Sequence, residues 1–439
     1  MTYIFESPDG GKTVYKRNFG ETKRIQINER RSNMKLVSLG DHYVSDFVKG
    51  EHETLNRKKY SLDVWSDDEL GAARLHGLAP SDTMWGQYWY RSGINTSMRA
   101  ELNRIVGEIL PRVQPEKDDI WLDIACNDGT LLSYVPPYMH RVGIDPCDNT
   151  YLAESSKHGE IIQDYFSKDA WNKTTVANKK VKVITCIAMF YDLDDPRPFV
   201  QSMYDILDDD GVVVLQMSYT PLMIKQMAFD NICHEHVYYY DLTSLIGLFS
   251  RIGFNCVDCS LNDTNGGSFR IYFRKRDANP AKFGSAPLRD VCEVRVASIL
   301  AYEQNVVNIR KFSTWDNFEL RLKKMKKDLL DIIHSVKAEG KTIYGYGAST
   351  KGNTLLQYFG LNASHITAIA ERSPYKFGLQ TIGTHIPIVS EEEMRAAKPD
   401  YLLILPWHFI DEFLLRERDY LKAGGKMIVP CPNVKIYSA

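Results

Sequence analysis

The chain has 439 residues, 44% of them hydrophobic and 25% charged, with 54 Lys and Arg against 56 Asp and Glu for a formal net charge of -2. That size suits a globular protein of several domains, and the near-neutral balance excludes the basic footprint on which nucleic-acid affinity rests. The longest apolar runs, Gly211 to Met217 and Tyr401 to Pro406, fall far short of the roughly 20 residues that cross a bilayer.

The N-terminus lacks the basic start and long apolar stretch of a secretory signal, so the expected location is cytoplasmic. Residues 1–30 read as a polar hairpin extension: Tyr3-Ile-Phe5, the turn-forming Ser7-Pro-Asp-Gly-Gly11, then Thr13-Val-Tyr15. Residues 31–95 form a small mixed module ending in the aromatic cluster Met84-Trp-Gly-Gln-Tyr-Trp-Tyr-Arg-Ser-Gly93. From Asn95 to Leu110 the residues Met98, Leu102, Ile105, Val106 and Ile109 recur at helical spacing, with Asn95 or Thr96 as cap. This helix leads into residues 96–285, where β-rich runs at Ile120–Ile124, Val142–Asp145, Val181–Ala188 and Gly211–Gln216 alternate with helical patterns. Such alternation implies a parallel sheet with helices on both faces. Residues 286–338 read as a helical linker, in which the basic run Arg321-Leu-Lys-Lys-Met-Lys-Lys-Asp328 is a solvated face. A second alternating block fills 339–439, with strands near Thr342–Gly345, Ile366–Ala370, Tyr401–Leu405 and Met427–Val429. The predicted fold class is therefore α/β: two doubly wound units joined by helices, behind a small N-terminal module.

Eight cysteines all lie beyond residue 125 and are expected as reduced thiols. Cys256-Val-Asp-Cys259 has no second pair at zinc-finger spacing and lies in an alternating strand pattern, so packed thiols are expected there rather than a metal site.

Trp121-Leu-Asp-Ile-Ala-Cys-Asn-Asp-Gly-Thr130 is an apolar strand ending in Asp123, a small-residue turn and a helix start. This is how an open sheet makes a ligand crevice at its carboxyl edge. One strand later Gly143-Ile-Asp145 places a carboxylate for a ribose diol. An NAD site uses the same geometry, but the loop is not G-x-G-x-x-G. Its acid followed by Asn127-Asp128-Gly129 suits a donor with a positive amino group and no pyrophosphate. The stretch resembles the first motif of class I S-adenosylmethionine-dependent methyltransferases. The resemblance implies cofactor contacts from Asp123, Ala125, Asn127 and Gly129, and a ribose contact from Asp145. Ala125 stands where glycine is usual, which is tolerable at negative φ. Ile161-Ile-Gln-Asp-Tyr-Phe166 resembles the third-strand motif, with Asp164 for the adenine amino group and aromatic Phe166 against its ring; an ordinary strand end is the alternative. Ala188-Met-Phe-Tyr-Asp-Leu193, with Met189, would line the donor's methionine part.

Further pieces are Tyr88-Trp-Tyr-Arg-Ser-Gly93, Cys233-His-Glu-His-Val-Tyr-Tyr-Tyr240, Asn265-Gly-Gly-Ser-Phe-Arg270, Tyr344-Gly-Tyr-Gly-Ala-Ser-Thr-Lys-Gly-Asn-Thr354 and Pro406-Trp-His408. With the donor loop, their order and spacing resemble the three-domain sugar C-methyltransferases of branched-chain deoxysugars, over about residues 35–439. The resemblance implies a nucleotide-linked 4-keto-6-deoxyhexose methylated on the carbon next to its ketone. It also implies His236 as base, Glu235 beside it and Tyr90 near the reacting carbon. In an extended segment His234 and His236 would face one way and Glu235 the other; a metal site or packed core histidines are the alternatives. Gly345-Tyr-Gly-Ala-Ser-Thr-Lys351 follows a strand and precedes a helix, so its amides and Lys351 can hold a phosphate, although an NAD site with Glu371 or a plain tight turn would look alike. Tyr88, Asn265, Ser268, Arg270, Trp407 and His408 are candidates for the same sugar-nucleotide site.

The family usually opens with two C-x-x-C pairs that hold zinc. Here Asp67 and Leu70 stand where cysteines would be, so no zinc is expected and the module must be held by packing. The expected partner is the sugar nucleotide, with no nucleic acid or membrane, and the chain is expected as a monomer or weak homodimer. A non-catalytic sugar-nucleotide-binding protein and an NAD-dependent oxidoreductase are the competing functions.

Overall fold

The computed structural model describes residues 3–6, 15–18, 25–26, 34–80, 84 and 90–439. At the N-terminus β1 (Tyr3–Glu6), β2 (Tyr15–Asn18) and β3 (Ile25–Gln26) pair antiparallel, with Tyr3 opposite Asn18 and Glu6 opposite Tyr15. The turn expected at Ser7–Gly11 lies outside the described residues. The next module is an antiparallel meander of β4 (Lys35–Tyr43), β6 (Lys59–Asp67) and β7 (Ala72–His76), with the short β5 (Phe47–Val48) between the first two. Val37, Leu62, Val64, Ala73 and Leu75 form its buried face.

Helix α1 (Thr96–Val113) starts where the Asn95 side chain accepts the Ser97 amide, and it buries Leu102, Ile105, Val106 and Ile109 as their spacing predicts. The following sheet comprises β8 (Ile120–Ile124), β9 (His140–Ile144), β10 (Glu160–Ile162), β11 (Val181–Ile187) and β12 (Leu207–Ser218), then β14 (Phe254–Asn262) and β15 (Ser268–Lys275) after the two-residue β13 (Tyr238–Tyr239). Its order is β10-β9-β8-β11-β12-β15-β14; β15 runs antiparallel between β12 and β14. All five residues of β8 are buried, as a central strand covered on both faces requires. The chain leaves β8 toward β9 on one side and returns to β11 on the other. That reversal opens a crevice at the carboxyl ends of β8 and β11.

The predicted helical linker is two helices, each committed to a different core. Along α2 (Ala286–Asn305), Cys292 and Ile299 are buried against the seven-stranded sheet. Buried Glu303 accepts hydrogen bonds from the Leu242 and Thr243 amides, satisfying the start of helix Leu242–Ile252. Along α3 (Phe312–Ala338), Trp315, Phe318, Leu322, Met325, Leu329, Ile333 and Val336 enter a core shared by the meander and the C-terminal sheet. Lys323, Lys324 and Lys327 of its basic run face outward in i,i+4 ion pairs such as Lys324–Asp328, while Lys326 turns inward and donates to the Tyr358 carbonyl.

The C-terminal unit contains β16 (Ile343–Tyr346), α4 (Thr350–Phe359), β17 (Ile369–Glu371), β18 (Gln380–Thr381), β19 (Ile388–Ser390), β20 (Tyr401–Ile404), β21 (Lys426–Val429) and β22 (Lys435–Tyr437). Its sheet runs β19-β17-β16-β20-β21-β22, parallel except for β22. Two strand pairings tie the units together: β13 extends the meander against β7, and β5 pairs with β18. Asn353 on α4 also donates to Ser45 Oγ at 2.9 Å and to the Asp46 carbonyl at 3.0 Å. Among the described residues no helix is long and apolar enough to cross a membrane.

Candidate active site

The crevice beyond β8 is shaped by backbone. Ala125 has φ 57°, Asn127 52° and Gly129 76°, so alternate residues of the loop are left-handed and the chain curls into a small concavity. The negative φ that would suit an alanine is not adopted; Ala125 carries the conformation for which glycine is the usual choice. Its amide donates to the Ile144 carbonyl at 2.8 Å, which pins it across to β9. At Gly129 a Cβ would stand 2.7 Å from Ser155 Cα, so that position has no room for a side chain.

Two carboxylates face this loop. Asp123 is 3% exposed and accepts from Thr185 Oγ1 at 2.7 Å; burial pushes its carboxyl up to about 7 despite that bond, with Asp145 adding to the effect. Asp145 accepts the Asn127 amide on one oxygen at 2.7 Å and the Cys147 amide on the other at 2.8 Å. Each oxygen keeps a lone pair for a diol, so Asp145 is both loop brace and possible ligand. Neither acid forms an ion pair among the described residues, and a buried pair of acids without a cation fits a ligand that brings positive charge and hydroxyl donors. The segment 90–93 is fastened over the loop: Asn127 Nδ2 donates to the Tyr90 carbonyl, and the Ser92 and Gly93 amides donate to Asn127 Oδ1 and Asp128 Oδ2.

The remaining donor-side candidates are less open. Asp164 accepts from Lys173 Nζ at 2.5 Å and from the Tyr165 amide, and the Lys173 bond holds its carboxyl below the usual range. Phe166 packs edge-on against Phe199, 4.9 Å away. Met189 is half-buried directly after Ala188, whose φ of 55° bends the chain away from β11.

The Cys233–His236 segment is a turn, closed by the His236 amide on the Cys233 carbonyl at 3.2 Å. The two histidines therefore do not share a face as an extended segment would require. His234 points to the meander, where its Nε2 meets the Tyr60 carbonyl at 3.0 Å, and it is a packed core histidine. His236 points the other way, its ring 4.1 Å from that of Tyr191 and its Nδ1 2.8 Å from the Asn231 carbonyl. A carbonyl only accepts, so Nδ1 carries the hydrogen and Nε2 is left with a free lone pair. Burial, helped by the Lys351 charge, pushes this imidazole down to about 3 and keeps it neutral. Burial pushes Glu235 up to about 7, against the pull of Lys351.

Lys351 enters from α4 of the C-terminal unit, and its Nζ lies 2.5 Å from Asn231 Oδ1. The structure thus places it beside the histidine turn. His408, from the same unit, is pushed down to about 3 by burial and by Lys351. Trp407 donates to buried Asp230 at 3.2 Å, and its ring edge lies 3.4 Å from where a Cβ on Gly266 would stand. Motifs far apart in sequence therefore meet: 230–236, Gly266, Lys351 and 407–408.

Other candidates stand apart. Asn265, in the turn Thr264–Gly266, adopts φ 54°. Ser268 is buried and donates to the Thr264 carbonyl at 2.9 Å. Arg270 is a correction: it is 1% exposed, with its donors engaged by Gln216 at 2.8 Å, Glu101 at 2.8 Å and Glu108 at 2.5 Å, so no ligand reaches it. Tyr90 is 42% exposed, and Tyr88 lies outside the described residues. Glu371, the acid an NAD site would need, accepts the Arg372 and Ser373 amides and lies 3.6 Å from Lys376.

The sequence reasoning missed Asn231, whose backbone fixes the tautomer of His236 and carries no side-chain signature. Asp192, which follows Tyr191 on the same turn, enters the sequence reading only as part of the Ala188–Leu193 stretch. One Asp192 carboxylate oxygen is buried without a partner, and burial beside Glu235 raises its carboxyl well above the usual range. Asp67 accepts the Glu69 and Leu70 amides and the Tyr238 hydroxyl, organising the β6–β7 turn by hydrogen bonds.

The family described as a methyltransferase domain matches residues 90–258, and that described as a C-methyltransferase C-terminal domain matches 263–432. The C-methyltransferase NovU of Streptomyces niveus is 27% identical over 410 residues, spanning 92% of this chain and 94% of its own. The protein is an S-adenosylmethionine-dependent methyltransferase. Among solved structures, the enzyme's fold overlaps an S-adenosylmethionine-dependent methyltransferase from Clostridium acetobutylicum at 12% identity, TM-score 0.32, covering 40% of this chain and 92% of that one. It overlaps the N-methyltransferase NodS from Bradyrhizobium japonicum at 13% identity, TM-score 0.31, covering 41% and 96%.

Proposed function

We propose that the enzyme methylates the carbon next to the ketone of a nucleotide-linked 4-keto-6-deoxyhexose, with His236 as the base. The observation that carries this is the hydrogen bond of His236: Nδ1 lies 2.8 Å from the Asn231 carbonyl, which only accepts, so a neutral imidazole presents Nε2 as acceptor. Carbon methylation needs such a base, because the carbon becomes nucleophilic only after losing its α-proton. The likeness to a C-methyltransferase along nearly the whole of both chains supports the choice of carbon.

S-adenosylmethionine, when bound, supplies an electrophilic methyl group on a sulfonium. Asp123 and the 125–129 loop would hold its charged amino-acid part, Asp145 its ribose diol, and Asp164, Phe166 and Met189 the edges of the same crevice. Segment 90–93 would exclude water and bring Tyr90 toward the reacting carbon. Glu235, as a carboxylate, stabilises the imidazolium formed on His236.

Incubation with methyl-13C donor and a panel of 4-keto-6-deoxy sugar nucleotides tests this. The expected product shows a methyl carbon coupled to a ring carbon in the NMR spectrum. A methyl on oxygen or nitrogen, or no product across the panel, contradicts it.

A further inference from the structure

Removing an α-proton leaves negative charge on the ketone oxygen, and His236 cannot neutralise it: its Nδ1–H is already given to Asn231 and its Nε2 takes the proton. A second group must face that oxygen. Among the described residues Lys351 is the cation at the base. Its Nζ touches Asn231 Oδ1, and the carbonyl of the same Asn231 holds the imidazole. Asn231 is itself fixed, donating from Nδ2 to the Ala228 carbonyl at 3.0 Å and accepting from Ser218 Oγ at 3.1 Å. No carboxylate lies within ion-pair distance of Lys351 among the described residues, yet its charge bears on Glu235, His236, Asp230 and His408 together. A phosphate-holding lysine would face an open basic cradle; the charge of this one bears on buried His236, half-buried His408 and two acids.

We infer that Lys351 is a catalytic residue that stabilises the enolate oxygen, rather than a holder of the nucleotide's phosphates. The inference rests on the carbanion chemistry proposed above. The α C–H bond breaks, its proton goes to His236 Nε2, and its electron pair forms the carbon–carbon double bond while the carbonyl π pair moves onto oxygen. Lys351 Nζ, turning from Asn231 Oδ1, donates a hydrogen bond to that oxygen. As the carbon takes the methyl, the carbonyl re-forms, the carbon–sulfur pair stays on sulfur, and the His236 proton leaves to solvent. The C-terminal unit thereby supplies part of the catalytic apparatus, and its docking through β5–β18 becomes a condition for turnover.

The test compares Lys351→Met with wild type in three measurements: kcat on the keto-sugar nucleotide, α-hydrogen exchange in heavy water with S-adenosylhomocysteine, and Kd for the free nucleoside diphosphate. The inference predicts that kcat and exchange fall together by about 10²- to 10³-fold, as for loss of an oxyanion donor, while the diphosphate Kd moves less than about threefold by the same principle of transition-state-only contact. A diphosphate Kd raised tenfold or more with near-normal exchange would overturn it and return Lys351 to the phosphates. Should Lys351→Met not fold, Lys351→Gln is read by the same ratio. Absence of exchange in wild type overturns the carbanion reading itself, a result distinct from a failure confined to the Lys351 variants.

Discussion

The loop crevice beyond β8 and the side-chain cluster around His236 are built in opposite ways. The crevice comes from one sheet edge: Asp123, the 125–129 loop and Asp145 lie within 23 residues and are held by backbone hydrogen bonds between neighbouring strands. The cluster takes His236 from a turn anchored to the meander through β13, Lys351 and Trp407 from a helix and a loop of the C-terminal unit, and Gly266 from the β14–β15 turn. A site written locally survives changes elsewhere, whereas one assembled from three units depends on how they dock.

On the crevice side the largest break should come at Asp145. Asp145→Ala removes the acceptor of two amides at once, so it should weaken S-adenosylhomocysteine binding by roughly ten- to hundredfold and also cost about 1–3 kcal/mol of stability, since buried donors are left unpaired. Calorimetry and denaturant unfolding check the two effects. Loss of affinity without loss of stability would mean that Asp145 is ligand only.

A smaller effect at the His236 cluster is read by pH. With Glu235 raised to about 7, free enzyme should lose activity as pH falls through that value and the carboxylate is protonated. Glu235→Gln should abolish this acid limb of kcat/KM at a lower plateau; a limb that persists belongs to another group.

Asp123 offers a subtler contrast. Its native pKa of about 7 lies above the unfolded value, so the native state binds more protons between about 4 and 7 and ligand-free stability should fall as pH rises through that window. Asp123→Asn should therefore raise the melting temperature of ligand-free protein at pH 8 while weakening donor binding. A lowered melting temperature would show that the charge is already compensated.

The smallest effect concerns Ala125. Ala125→Gly relieves the left-handed strain at φ 57°, worth about 1 kcal/mol before glycine's own entropy cost, so unfolding should show a gain of a few tenths. A loss would mean that the alanine methyl packs usefully.

The same contrast decided what the sequence could reveal. Strands β8, β11 and β20 were legible as short apolar runs because central strands are buried on both faces. The β4–β7 meander was not: register shifts at Lys35/Val37 and Ser38/Asp41 break its alternation. Motif likeness assembled the pocket in outline, but side-chain direction depended on backbone that no periodicity encodes. The turn at Cys233–His236 sends His234 to Tyr60 and His236 to Asn231, and Arg270, drawn toward the site by its place in the Asn265–Arg270 stretch, is held by Glu101 and Glu108 more than 160 residues away.

At the centre of the proposed reaction, His236, held by Asn231, breaks a carbon–hydrogen bond. In heavy water with S-adenosylhomocysteine in the donor's place, wild-type enzyme should exchange the α-hydrogen of a 4-keto-6-deoxy sugar nucleotide for deuterium, as followed by proton NMR. His236→Ala should slow this about 10²- to 10⁴-fold, while His234→Ala, which alters a core contact to Tyr60, should retain it. Exchange undiminished in His236→Ala, or lost in folded His234→Ala alone, would contradict the account.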